Sequence, residues 1–321
     1  MRGLELLSQR NIAQHVSSRF NTRPKFSLPF DRTDWTPWRG SNDLAPLGRL
    51  GDLEVRLATS TAEVRRAQAL RYEVFYEEMA AVADLHARQA RRDFDAFDAL
   101  CDHLLVCDRG QSSLLRSKPQ IVGTYRLLRQ QAAERHGGFY TAGEFDIEPL
   151  IRAKPHLNFL ELGRSCVLPR YRSRRTLELL WHGIWAYVLM NGFDVMIGCA
   201  SLEGTDPEHL ALPLSYLHHF ARAPDEWRVR AHEERFVETN RMPLAEIDAK
   251  AALRALPPLL KGYLRLGACV GDGAVIDRQF GTTDVCVVLP VSAIASRYVR
   301  YYRPDASRYA VTPAGAPLAA A

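Results

Sequence analysis

Apolar residues along this chain fall into two rhythms that succeed one another from about Leu53 onward. LEVRLA, from Leu53 to Ala58, alternates as a strand with one buried face. TAEVRRAQALRYEVFYEEM, from Thr61 to Met79, sets Val64, Ala67, Leu70 and Val74 at helical spacing, with Thr59 or Thr61 as its cap. HLLVCD and IVGTYRLLRQ read as paired strands with a hairpin between Gly110 and Pro119. Residues 139 to 157 read as a loop with a short helix near Glu148. NFLELGRSCV is a further strand, followed by a basic turn and a helix from Arg174 to Asn191 that stops at Gly192. FDVMIGCASL is nearly continuous apolar sequence, the pattern of a strand buried on both faces. GTDPEHLALPLSYLHHF predicts a helix starting at Asp206-Pro207, with Pro at its first position. Residues 225 to 255 are polar and carry no clear period, and DVCVVLP, Asp284 to Pro290, is the last strand. The order is α/β without a regular βαβ alternation, which predicts a mixed, twisted central sheet flanked by helices.

The ends differ from this body. Residues 21 to 50 are rich in Pro, Asp, Asn, Trp and Gly, as befits an irregular extension. The expected division is an extension over 1–48, one α/β domain over 49–303 and a disordered, alanine-rich tail over 304–321. No apolar run reaches the ~18–20 residues of a membrane span. The first twenty residues lack the apolar core and small cleavage residues of a secretory signal. Leu4, Leu7, Ile12, Val16 and Phe20 nevertheless sit near helical spacing with arginines between them. That segment is either a docked arm or a weak basic helix on a membrane surface. Net charge is 42 minus 37, or +5, too mild to specify an acidic partner, and nothing in it points to nucleic acid. Six cysteines without CxxC spacing suit free thiols in a reducing cytoplasm. The expected location is therefore cytoplasmic, with contact at the inner membrane face left to the N-terminal arm.

Chemistry concentrates between Asn158 and Leu180. Strict alternation sends Glu161, Gly163 and Ser165 to one face of the strand and Leu162 and Arg164 to the other. Glycine inside a strand often marks a bulge, which would swing these side chains and open a gap beside the next strand. Glu161 and Arg164 are then either a working pair or a plain salt bridge. Arg170, Arg172, Arg174 and Arg175 crowd the start of the following helix, where free N–H groups and the helix dipole already favour phosphate. Arg126 lies in an apolar strand, an expensive place for an unpaired cation. Asp95 and Asp98 are natural partners for it and for Arg71, which shares a helix face with Phe75. The alternative reading of these charges is a solvated face. His103 and Asp108 have the H-x4-D spacing of glycerolipid acyltransferases, but five steps along a strand point them to opposite faces. His218-His219 lacks a Cys or carboxylate at ligand spacing, so no metal site is expected. No GxGxxG, GxxxxGK[ST] or GxSxG motif occurs, which argues against dinucleotides, nucleoside triphosphates and a serine nucleophile.

Arg71 and Phe75, Asp95 and Asp98, Arg126 in GTYRL, and Glu161 with Arg164 in ELGRSCV resemble the pattern of the acyl-homoserine-lactone autoinducer synthases. The chain resembles still more their relatives, the bacterial ornithine N-alpha-acyltransferases of ornithine-lipid synthesis, over about Leu47 to Pro290. The resemblance implies the GNAT acyltransferase fold and transfer of a 3-hydroxyacyl chain to the alpha-amine of ornithine. It implies catalytic roles for Glu161 as base, with Arg164 and Arg126, and an acceptor site at Arg71, Phe75, Asp95 and Asp98. The turn departs from the usual Q/R-x-x-G-x-G/A pattern of acetyl-CoA enzymes: RYRSRR, from Arg170 to Arg175, has no glycine. Backbone cannot approach a pyrophosphate closely there. That favours phosphopantetheine on acyl carrier protein, docked by Arg170, Arg172, Arg174 and Arg175, with acyl-CoA as the other donor and no bound cofactor. An autoinducer synthase using S-adenosylmethionine and a non-catalytic acyl- or carrier-binding protein are the competing readings.

Overall fold

The computed structural model describes residues 46–110, 119–302 and Tyr309. The N-terminal arm and the tip of the predicted hairpin lie outside the described residues. So does the 304–321 tail apart from Tyr309, whose buried ring stacks on His182 with centroids 3.9 Å apart.

Among the described residues, nine strands form the main sheet: β1 Gly48–Leu50, β2 Leu53–Leu57, β3 Asp102–Asp108, β4 Gln120–Arg129, β5 Phe159–Val167, β6 Val195–Glu203, β7 Cys269–Val270, β8 Val275–Asp277 and β9 Thr282–Pro290. Their order is β1-β2-β3-β4-β5-β6-β9-β8, with β7 also paired to β9. Every pairing is antiparallel except β5 with β6. The domain boundary expected at residue 49 falls inside β1, and Leu47 ahead of it is already buried. Nearly every residue of β3, β4 and β9 is buried, as their apolar runs require.

Among the described residues, four longer helices cover the sheet: α1 Thr61–Tyr72, α2 Arg174–Asn191, α3 Ala211–Ala221 and α4 Pro258–Leu266. The cap of α1 is Ser60, whose hydroxyl accepts the Glu63 N–H at 3.3 Å, and not Thr59 or Thr61. Glu63 instead reaches back to the Thr59 N–H at 2.9 Å. The helix predicted to run on to Met79 changes character at Glu73, where six residues, Glu73–Glu78, wind as a wider π-helical turn. This turn brings Phe75, Glu78 and Met79 to the wall of the main cavity. α2 matches its predicted bounds, from its Ser173 cap to Gly192 at φ +64°. α3 starts four residues later than predicted. Asp206 accepts the N–H of Glu208 in a tight local turn, and the chain reaches helical geometry only at Ala211.

The feature that places the site is the parting of β5 from β6. The two are paired only from Phe159–Glu161 to Val195–Ile197. At the last point of contact a Cβ on Gly198 would lie 2.3 Å from the Leu162 carbonyl oxygen, so this closeness needs glycine. One residue further on, a Cβ on Gly163 would meet nothing within 4 Å. The sheet is thus pinned at Gly198 and open immediately beyond. Gly198→Ala should force these strands apart and cost about 1–3 kcal/mol, read as a lower urea midpoint with an unchanged denaturant slope.

Candidate active site

The cavity of about 630 Å³ that fills this opening is lined on one side by Arg126, Glu161, Gly163, Arg164 and Ser165. Its far side is lined by Cys199, Ala200, Ser201, Thr282 and Asp284. Phe75 and Phe280 close one flank, their rings edge to face at 5.6 Å.

β5 carries one residue more than β4 between the pairs Arg126–Gly163 and Thr124–Cys166, which is a β-bulge. The residue that takes the left-handed backbone is Arg164, at φ +49°, and not Gly163. For a non-glycine residue this costs about 1–2 kcal/mol. The bulge cancels the divergence that strict alternation predicts. Glu161 and Arg164 now converge on the same neighbour, Tyr140. The Arg164 guanidinium lies between the Tyr140 and Phe280 rings, 4.8 and 4.7 Å from their centroids.

Glu161 is buried and braces the turn that carries Tyr140. Its Oε2 accepts the Tyr140 N–H at 2.9 Å, and its Oε1 accepts the Thr141 N–H at 2.6 Å and the Thr141 hydroxyl. A carboxylate has about four acceptor positions, so Oε2 retains one. Burial pushes the Glu161 carboxyl above its usual range, against the pull of the Thr141 and Tyr140 donors and of Arg126.

Behind the cavity wall lies a network of three arginines and three aspartates. Arg71 is fully buried, with Nε 2.7 Å from Asp93 and Nη2 2.7 and 2.9 Å from the two Asp98 oxygens. Arg126 meets Asp95 at 2.6 Å. Arg164 bridges Asp93 at 3.5 Å and Asp95 at 3.4 Å. The DFDAFD spacing folds this way because Asp95 and Asp98 form a reciprocal capping box around the short helix Ala96–Ala99. Burial opposes the charge of Asp95, but Arg126 and Arg164 outweigh it and hold its carboxyl below the usual range. Burial likewise opposes the charge of Arg164, and Tyr140, Asp93 and Asp95 outweigh it.

Among families, the Acetyltransferase (GNAT) domain matches residues 70–182. An L-ornithine N(alpha)-acyltransferase of Rhizobium meliloti (strain 1021) is 56% identical over 263 residues, 82% of this chain and 88% of that protein. One from Brucella abortus (strain 2308) is 52% identical over 84% of this chain and 95% of its own length. This chain belongs to the L-ornithine N(alpha)-acyltransferase family. Its fold is the GNAT acyltransferase fold. A solved N-acyl amino acid synthase from uncultured soil microbes aligns with 74% of this chain and 91% of its own, at 9% identity and a TM-score of 0.40, a likeness that carries no further argument.

Within this family member, the residues expected at the site separate into two groups. Phe75, Arg126, Glu161 and Arg164 line the cavity. Arg71 and Asp98 do not: both are buried behind it, and Arg71 is held by Asp93 and Asp98. The substrate contact expected of them does not match this placement: they stand behind the cavity lining, where the aspartates around Arg71 support Arg126 and Arg164. Asp95 joins those two arginines without lining the cavity. Of the turn arginines, Arg172 lines the cavity and holds Glu78 through two contacts at 2.5 and 2.7 Å. Arg174 is exposed and paired to Glu178, and Arg175 donates to the Leu50 carbonyl at 3.4 Å. Arg170 is exposed beside the Tyr171 ring.

His103 and Asp108 part along β3 as the alternation of a strand requires. His103 Nε2 lies 2.9 Å from the Asp98 carbonyl, and Asp108 accepts the Tyr171 hydroxyl at the far end of β3. His218 and His219 contact Thr239 and the Met242 carbonyl. Cys199 lines the cavity, yet burial pushes its thiol well above the ordinary value, which makes it a poor nucleophile. Sequence reasoning missed Asp93, Tyr140, Thr141 and Phe280, which no motif flags, and Asp284. The cost of a charge in an apolar strand, already applied to Arg126, applies equally to Asp284 in DVCVVLP. Arg71→Leu should strand two buried carboxylates and lose about 3–5 kcal/mol of stability, visible as a collapsed thermal transition. A variant that unfolds like wild type but binds acceptor poorly would return Arg71 to the substrate site.

Proposed function

We propose that this chain transfers an acyl group from a phosphopantetheine thioester to the alpha-amine of L-ornithine, giving the lyso form of an ornithine lipid. The observation that carries this reading is the gap between β5 and β6, with a raised-pKa carboxylate and two paired arginines on its wall. The names of the relatives supply the acceptor. An alpha-amine is largely protonated near neutral pH and must lose a proton before it attacks. Glu161 takes that proton through the remaining position on Oε2, directly or through a water. The amine nitrogen then bonds to the thioester carbon. Main-chain N–H groups where β5 opens at Gly163 hold the resulting oxyanion. The C–S bond breaks, the second proton shed by the nitrogen passes to the departing sulfur, the thiol leaves, and the amide remains. Arg126 and Arg164 orient the acceptor's carboxylate.

The donor is acyl carrier protein. Its acidic surface fits the exposed Arg170, Arg174 and Arg175, and Arg172 stands where the cavity meets the α2 start. Acyl-CoA offers the same thioester and is the alternative. Among the described residues no helix is long and apolar enough to cross a membrane.

Glu161→Gln should lower kcat by about 10²-fold or more with carrier-borne donor and ornithine; unchanged turnover removes Glu161 from the chemistry. The Thr141 hydroxyl lowers the Glu161 pKa, so Thr141→Val should raise it. The rate falls at acid pH as Glu161 protonates, and the acid limb of kcat/KM should move to higher pH in that variant. Reversing Arg172 and Arg175 to Glu should raise KM for acyl carrier protein and spare small acyl-thioester analogues. Equal effects on both donors sink the docking role, and carrier binding without thiol release for any amino acid sinks the transferase itself.

A further inference from the structure

The wall facing Arg126 and Arg164 is acidic. Carboxylate oxygens of Glu144, Asp277 and Asp284 all lie within 4.8 Å of one another. Asp284 stands beside Ser201 across the β6–β9 ladder, and Thr282 stands beside Glu203, so both face the cavity from the same side of β9. Asp284 and Thr282 are 7% and 4% exposed. Asp284 Oδ1 and Thr282 Oγ1 are buried and make no well-formed hydrogen bond among the described residues, although the Thr282 and Ser201 side chains stand close enough to Asp284 to favour its charged form. A buried acceptor left unmade costs about 1–3 kcal/mol, so Asp284 Oδ1 marks where a further donor belongs, with the Thr282 hydroxyl beside it.

The rest of the cluster is fixed in place. Asp277 Oδ1 accepts the N–H groups of Gln279 and Phe280 at 2.8 and 3.0 Å. Glu144 accepts from Arg235 at 3.3 Å on one oxygen and from the Cys199 thiol at 3.3 Å on the other. Among the described residues Arg235 pairs with Glu144, and Asp277 and Asp284 have no ion pair. Burial, with Glu144 close by, pushes the Asp284 carboxyl up to about 7. A compact cation with several donors would relieve this crowding. A primary ammonium carries three N–H donors on a small head.

We propose that Asp284 and Asp277, flanked by Thr282 and backed by Glu144, bind the side-chain ammonium of the acceptor and select a cationic alpha-amino acid. This rests on the acyltransferase reading above, and it gives the cavity a direction. The acceptor's carboxylate faces the arginine wall, its side chain faces the acidic wall, and its alpha-amine is left between them beside the β5 opening.

The test uses the full chain, one acyl donor, and two acceptors: L-ornithine and L-norvaline, which has the same carbon skeleton without the side-chain amine. Wild type should prefer ornithine by about a hundredfold or more in kcat/KM. Asp284→Asn and Asp277→Asn should raise KM for ornithine tenfold or more, leave KM for the donor unchanged and narrow the ornithine-to-norvaline ratio. Thr282→Val, a milder change, should narrow it in the same direction. An unchanged ratio in folded variants overturns the subsite, as does an equal loss on both acceptors, which would assign Asp284 to proton transfer. A preference abolished by EDTA and restored by Mg²⁺ also overturns it, in favour of a metal. Wild type acylating both acceptors alike refutes the subsite alone; wild type acylating no amino acid refutes the transferase reading.

Discussion

A buried arginine must be matched by carboxylate, and the site is built around that constraint. Arg71 has no exposed surface, so Asp93 and Asp98 have to come to it. Those aspartates bring with them the DFDAFD turn, whose remaining carboxylate, Asp95, joins Arg126 to Arg164. Three arginines and three aspartates make the network neutral as a whole. Removing one member leaves an uncompensated charge in a low-dielectric interior, a loss far greater than that of a surface ion pair. Arg126 and Arg164 are therefore held in one orientation at the cavity wall before any acceptor arrives. Such preorganisation is what makes a polar site effective.

β5 connects this network to the reaction centre. A left-handed Arg164 is strained, and the strain is offset by aromatic rings on both sides of the guanidinium and by two aspartates. The same bulge parts β5 from β6 while Gly198 keeps them in contact one residue earlier. Glu161 sits at that boundary. It braces the Tyr140–Thr141 turn with three hydrogen bonds, and the turn in turn supplies the ring that stacks on Arg164. The carboxylate proposed as base thus also fixes the arginine proposed to orient the acceptor, so changes at either residue act on both.

The two walls of the cavity differ in kind. The arginine wall is charge-balanced by aspartates behind it, whereas the acidic wall carries Asp277 and Asp284 with Glu144 behind them, and among the described residues Arg235 pairs with Glu144 alone. A cavity of this polarity suits a molecule with an anion at one end and a cation at the other.

The sequence by itself determined the architecture and much of the chemistry. Period-two and helical runs placed β2 through β6, β9, α1 and α2. The cost of a charge in an apolar strand singled out Arg126, and the glycine in ELGRSCV pointed to an irregular strand. What it left undecided were matters of contact. Helical spacing puts Arg71 and Phe75 on one face, yet only tertiary packing sends Phe75 to the cavity and buries Arg71 behind it. Alternation separates Glu161 from Arg164, and only the register against β4 decides that the extra residue is absorbed at Arg164, which brings them back together. Asp93, Tyr140 and Phe280 come from distant segments that meet around one guanidinium. Local sequence sets backbone preference and the side on which a residue starts. Which charges become neighbours depends on segments far apart in the chain, and no local pattern records that.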